Sequence, residues 1–458
     1  MPIQSVGEQP LESFELQPPG GVSSGVYRGS EPELSQATST ISQNENHEDH
    51  DFPDGGTKAY SVVFGSFMGL VSTFGLLNSM GAIQAYVSIH QLSHVSTSTI
   101  SWIFSIYLAL SFAVGVVVGP VFDRIGSRLL LVGGSCLSFA GLMSTASCTQ
   151  VWQFILALSI CVGLGNALMV TPLVGVIGQW FCRKRGVAIG MATTGGSVGG
   201  IAIPLMLRSL YTQVGFTWAI RVLAFFCLGC QLCAALLATS RDAIYHSVDD
   251  YGKKQKFIDF RHLLDRKLSF LIAGTFVVEL ALMSATTYFA SYAIKQGISQ
   301  SSSYLLLTIF NASGVLGRWI PGYISDFYGR FNVMVVMLIG FALSILVIWL
   351  PFGQYHGAIY AFAVAGGFTS ASILTMTPVC LGEITPTNEF GQRYGLLYII
   401  VSVGNLFGIP MSAAIIGDES EKNYRMFVLF CGLLSFMGAV CWFISRYYIV
   451  GLKLNVRV

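Results

Sequence analysis

The sequence predicts an all-α membrane protein of twelve transmembrane helices arranged as two six-helix halves, and three observations lead there. The chain of 458 residues is 53% hydrophobic and 10% charged, with a mean hydropathy of +0.64. A water-soluble protein carries about 25% charged residues, so most of this surface must face lipid. Twelve apolar runs reach the roughly 20 residues needed to cross the hydrocarbon. The loops between the runs repeat once along the chain.

Residues 1–57 come first, with ten Asp/Glu and one basic residue, Arg28, among Ser, Gln, Asn, Gly and Pro. Such a segment cannot bury enough apolar surface to offset its ordering entropy, which predicts a disordered acidic tail. No basic stretch precedes an apolar one, so no cleavable signal peptide is expected. The N-terminal half, 58–239, holds runs at 59–82, 100–122, 129–148, 152–176, 186–207 and 217–239. A polar linker, 240–267, leads to the C-terminal half, 268–450. Its runs lie at 268–292, 303–324, 331–351, 356–380, 392–415 and 424–448, and residues 451–458 close the chain.

Cations in the loops orient these runs. Arg124 and Arg128 follow the second run, Arg183, Lys184 and Arg185 the fourth, and Arg330 the eighth. The linker adds seven more, and Arg393, Lys453 and Arg457 lie on the same side. The segments 83–99, 148–152 and 352–356 carry none. Positive loops stay in the cytoplasm, which places both termini and the linker there, in an integral multi-pass protein expected in the plasma membrane.

The repeat is visible in "GPVFDRIGSR" at 119–128 and "GYISDFYGR" at 322–330, where Gly119, Asp123 and Gly126 match Gly322, Asp326 and Gly329 at one offset. Pro204 and Pro410 match near the same offset. Six runs repeated as six, both starting from one side, is a parallel duplication; transporters built this way bind solute near the midplane and rock their halves. Asp123 is placed to meet the positive N-terminus of a neighbouring helix, with Arg124 and Arg128 on carboxylates or last-turn carbonyls. Asp326 and Arg330 repeat that arrangement as a second half of a conformational latch. The alternative role for these cations is to mark topology. Gly186/Gly190 and Gly195/Gly199, four apart in the fifth run, let helices approach backbone to backbone.

The G-x-x-x-D-R-x-G-x-R pattern between the second and third runs, echoed between the eighth and ninth, resembles the major facilitator superfamily over about residues 58–450. "PDGG" at 53–56 and "WFCRKRGVAIG" at the start of the fifth run are similar to its monocarboxylate-porter branch. The resemblance implies a secondary transporter working by alternating access. It also implies that Arg318, before an aromatic and a proline, is the eighth-helix arginine that holds a substrate anion in that branch. Two positions depart from it: Gly314 stands where animal members carry an Asp, and Asn78 where they carry a Lys. The resemblance is therefore to divergent fungal-type members, whose substrates are varied and often larger.

Two ionisable residues lie well inside runs, where charge is costly and marks function by default. By helix rise Arg318 sits about 10 Å and Glu279 about 16 Å from the cytoplasmic ends of their runs. Arg318 is compatible with substrate contact, with an ion pair to Glu279, or with snorkelling to the interface. Glu279 is compatible with a proton relay, with that pair, or with another structural role. Asn78 and Asn311 are candidate substrate contacts in a cavity lining, as are Gln84, Asn166 and Asn405, each alternatively an interhelical hydrogen bond.

Other classes fit less well. "GGSVG" at 195–199 matches the hydrolase elbow, but lies mid-run without the strand and exposed turn that motif needs. No H-E-x-x-H or P-loop accompanies it, so no enzyme, cofactor or metal is expected. The ten cysteines fall almost entirely in apolar runs and read as buried structural thiols. A net charge of +2 argues against nucleic acid. The expected partners are a small-molecule substrate, the bilayer and protons, with no obligatory protein partner. The expected function is transport of a monocarboxylate or related metabolite by proton symport. The alternatives are export or facilitated passage of a larger or neutral metabolite such as a vitamin, and a non-transporting nutrient receptor.

Overall fold

The computed structural model describes residues 52–241, 265–417 and 420–451. The tail through residue 51, most of the linker and the last seven residues, with the expectations made for them, lie outside the described residues. Twelve long helical rods account for nearly all of what is described. In chain order they are α1 (Gly56–Ile89), α2 (Thr97–Ala113, continued by Gly115–Ile125), α3 (Arg128–Thr145), α4 (Val151–Trp180), α5 (Arg185–Gln213) and α6 (Gly215–Leu237). Then come α7 (Arg266–Lys295), α8 (Gln300–Tyr328), α9 (Arg330–Phe352), α10 (His356–Glu383), α11 (Phe390–Ile416) and α12 (Glu421–Val450).

Eleven of these are long and apolar enough to cross a membrane. The other is α8, of equal length but diluted by Gln300, five serines, Arg318 and Asp326. Large apolar side chains stand exposed on the outer faces, Leu236, Val336 and Phe436 among them, while a second apolar set fills the interior. A helix apolar on all sides suits a lipid solvent.

Three differences from the sequence reading have physical causes. Helices α1 and α5 run to Ile89 and Gln213, past the expected 82 and 207. Hydropathy detects only the hydrocarbon slab, whereas polar residues such as Gln84 and Arg208 continue a helix beyond it. Residues 53–57, assigned to the tail by composition, join the helical body. The Asp54 amide donates to the Trp180 carbonyl at 3.1 Å, and its carboxylate accepts from Cys182 and Lys184.

The repeat extends into backbone detail. Gly126 and Gly329, with φ +81° and +93°, make the tight α2–α3 and α8–α9 turns in the left-handed region that glycine alone enters freely. Ser96 caps α2 by accepting from the Thr99 amide, and Ser299 caps α8 from Ser302, both at 3.3 Å. Within each half the packing order is also shared: α1 lies on α5 and α6 as α7 lies on α11 and α12. The halves meet chiefly along α2–α11 and α5–α8, with α5–α10 and α4–α11 beside them.

Candidate functional site

The interface between halves can be followed from one end of the bundle, where α5 and α11 begin, to the other. At that end Asp326 accepts from the amides of Gly186 and Val187 at 2.8 and 2.9 Å. Asp123 accepts from Gly391 and Gln392 at 2.9 and 2.8 Å. Each carboxylate thus caps the first turn of a helix in the opposite half, where free N–H groups and the helix dipole favour an anion.

The cations do not follow the same symmetry. Arg330 bonds the Glu383 carboxylate and the Cys182 carbonyl, reaching from one half to the other. Its counterpart Arg128 is exposed and enters no hydrogen bond or ion pair among the described residues, while Arg124 is exposed as well. Arg185, read from sequence as one of the cytoplasmic loop cations, is buried instead. It donates to the carbonyls of Phe181 and Gly178 in its own half and to Gly382 of α10, the last at 2.6 Å. Aligned carbonyls at helix ends attract a guanidinium strongly enough to turn it inward. Sequence reading also missed Glu383 and Asp54; an acid at the end of the tenth run was the available signal for the former.

The two glycine pairs of α5 face different partners. A Cβ on Gly186 would stand 2.5 Å from the Gly322 carbonyl oxygen, and one on Gly190 2.7 Å from that of Arg318, so this pair meets α8 of the other half. A Cβ on Gly195 would stand 3.1 Å from the Val71 amide, and one on Gly199 2.7 Å from the Gly75 Cα, so this pair meets α1 of its own half.

Deeper in the bundle lie the two intramembrane charges. Arg318 is buried and donates to the Thr193 carbonyl of α5 at 3.1 Å; it does not snorkel. The Thr193 and Thr375 hydroxyls bond at 2.8 Å beside it. Glu279 is fully buried and turned toward Tyr398 and Asn405 of α11. No ion pair among the described residues joins Glu279 to Arg318. Helix rise put them at compatible depths, but their azimuths differ: Glu279 faces α11, whereas Arg318 faces α5. Tyr398 lies against the Glu279 carboxyl. Its ring stacks on Phe112 of α2 at 5.1 Å, and on its other side lies Tyr394 at 4.7 Å. Sequence reading did not single out Tyr398; the stripe Phe390, Tyr394, Tyr398, one per turn, was its signal.

Further along, Asn78 of α1 and Asn311 of α8 converge over Gly200 of α5. The Asn78 amide donates to the Gly196 carbonyl at 3.2 Å, and Asn311 to Leu307 at 3.0 Å. A Cβ on Gly200 would stand 3.4 Å from Asn78 Nδ2 and 3.6 Å from Asn311 Oδ1. Both amides are half-buried. The structure therefore brings together Asn78 with Asn311 and Arg318 with Thr193 across the halves, and Glu279 with Tyr398 and Asn405 inside the C-terminal half. Asp123, Asp326 and Arg330 lie at one end of the interface between the halves.

A family model described as Major Facilitator Superfamily matches residues 62–331 and 298–451. The riboflavin transporter MCH5 of Saccharomyces cerevisiae is 40% identical over 454 residues, covering 94% of this chain and 87% of that one. The fujikurins efflux protein of Gibberella fujikuroi is 29% identical, covering 86% of this chain and 83% of its own. Among solved structures, the human organic anion transporter MFSD10 (TETRAN) superposes with a TM-score of 0.69. It is 12% identical and covers 85% of this chain and 100% of that one.

Proposed function

We propose, from the premise that this chain belongs to the major facilitator superfamily, that it carries a vitamin-like or similarly large metabolite across the membrane by alternating access. The observation that carries the substrate class is the 40% identity to a riboflavin transporter along 94% of the chain. The interface supports it: half-buried amides from both halves face each other over a glycine. In this reading α8 is the twelfth span, its polar residues turned to the interface. The paired Asp caps hold one end closed and break when the halves rock. Loop cations put that end, both termini and the linker in the cytoplasm, with the plasma membrane as the site of action.

The test is uptake and efflux of riboflavin in cells with and without the gene. Flux that depends on the gene supports the reading; its absence in both directions refutes the vitamin class. A second reading, proton-coupled symport of a monocarboxylate in the manner of the porter branch, is favoured by the buried Arg318 matching that branch's anion-binding position. There Glu279 would carry the proton. Carboxylate flux unchanged by Arg318→Ala, or unchanged between two external pH values, removes the anion site or the proton respectively.

A further inference from the structure

The residues that lead from α4 into α5, Cys182 to Val187, carry amides with no acceptor inside the helix. Two carboxylates from opposite halves divide them. Asp54, just ahead of α1, accepts the Cys182 and Lys184 amides on one oxygen, Oδ1, at 2.9 and 3.2 Å. Asp326 of α8 accepts the Gly186 and Val187 amides. Asp54 sits in the same half as this turn, Asp326 in the other. Asp54 is itself held from behind. Its amide donates to the Trp180 carbonyl at 3.1 Å, so one residue grips both ends of the stretch 180–184. Its φ of +45° lies in the left-handed region, which Asp and Asn enter more readily than other residues with a side chain. Tyr60 of α1 sets its ring edge-on to Phe181 at 5.6 Å, and the Trp180 indole donates to the Thr239 carbonyl that follows α6.

What the turn offers the other half is a carbonyl. Arg330 of α9 donates to the Cys182 oxygen. That oxygen belongs to the peptide plane between Cys182 and Arg183. The planes on either side carry the Cys182 and Lys184 amides that Asp54 holds. Each plane is rigid and the chain turns only at the Cα atoms between them, so pinning the outer two to one carboxylate oxygen fixes where the middle carbonyl points. Resting on the reading of the two halves as parts that rock, we propose that Asp54 is a positioning residue of the latch. It holds the α4–α5 turn in the shape that presents the Cys182 carbonyl to Arg330. The acceptor is then preformed each time the halves close. A purely electrostatic role has the opposite sign. Asp54 and Asp326 put two carboxylates at one helix start, where like charges repel, and neutralising Asp54 would then favour closure.

The experiment uses the full chain in sealed vesicles with Thr193→Cys as a buried reporter, modified by an impermeant thiol reagent from the latch side and read by mass spectrometry at that residue. Asp54→Gly removes the acceptor and keeps a backbone free to hold a positive φ. It should raise the modification rate about fivefold, the effect of one lost cap acceptor on the population of the open form. Asp54→Asn keeps an oxygen acceptor without the charge and should hold the rate within about twofold of the parent. In an Arg330→Gln background Asp54→Gly should add less than about twofold, because the carbonyl it orients has lost its donor, whereas independent sites would multiply. No change with Asp54→Gly, or the same factor in both backgrounds, overturns the assignment. A slower rate for Asp54→Asn and Asp54→Gly alike gives the residue to repulsion and overturns it too. Asp326→Ala separates this failure from that of the rocking halves. A rate that it raises leaves that reading standing, and a rate that neither it nor Asp54→Gly moves removes both. Size-exclusion profiles report folding. Where Asp54→Gly yields no folded protein, Asp54→Ser, whose oxygen falls one bond short of both amides, carries the same comparison between backgrounds.

Discussion

Asp326 holds the amide of Gly186 at 2.8 Å, and the two residues belong to opposite halves of the protein. Asp123 does the same to Gly391 at 2.9 Å, in the reverse sense. Two capping carboxylates exchanged between two halves tie the helix starts of α5 and α11 to the turns that follow α8 and α2. Contact at this end is therefore a sum of few, short, charge-assisted bonds, which is what the proposed rocking of the halves requires.

Removing a cap should shift the balance between closed and open forms. Loss of an N-cap acceptor costs about 1 kcal/mol, close to a fivefold change in population. Asp326→Ala, in a background carrying Thr193→Cys as a buried reporter, should raise the rate of thiol alkylation from the latch side about fivefold. Asp123→Ala should act similarly. An unchanged rate for both would assign the carboxylates to fixed packing.

Glycines on the contact should tolerate no side chain, and glycines off it should. The Cβ of Gly186→Ala would meet the Gly322 carbonyl and the Asp326 carboxylate, so closure and transport should be lost in a protein that still folds. Gly133 and Gly229 face open space within helices, so alanine there should be neutral or stabilise by up to about 1 kcal/mol. Expression, thermal midpoint and flux of the three variants check this together.

Arg330 and Glu383 should couple, modestly. Glu383 remains about a third exposed (32%), which screens the pair, so a double-mutant cycle with Arg330→Gln and Glu383→Gln should return about 1 kcal/mol in thermal unfolding. Arg330→Lys should not restore wild-type behaviour, because an ammonium cannot hold the carboxylate and the Cys182 carbonyl with one planar fork.

Gly200 should read out the substrate path. Alanine there places a methyl 3.0 Å from the Asn78 Cβ, between Asn78 and Asn311. The expected result is a KM raised about fivefold, the lower end of the roughly 1 to 3 kcal/mol that overpacking costs, with the amount of folded protein unchanged. An unaltered KM would move the path away from these two amides.

Much of the scaffold was legible because lipid leaves a coarse signal. Long apolar runs, cation-bearing loops and an Asp repeated at one offset follow from hydrocarbon thickness and duplication, and neither requires knowing which helices touch. Partners were less legible. Depth along a helix can be counted from sequence, but azimuth cannot, which is why a Glu279–Arg318 pair stood open as one alternative although Arg318 faces α5 and Glu279 faces α11. Arg185 shows the same limit: three consecutive cations look alike in sequence, and only the carbonyls of Gly178 and Gly382 single one out to be buried.

The central claim is that the interface between the halves passes a vitamin-like metabolite. The most direct measurement is flux into proteoliposomes containing the purified chain, with labelled riboflavin and labelled lactate supplied together, with and without an imposed pH gradient. The account predicts protein-dependent riboflavin entry that excess lactate does not slow. Lactate entry driven by the pH gradient, with riboflavin excluded, would contradict it.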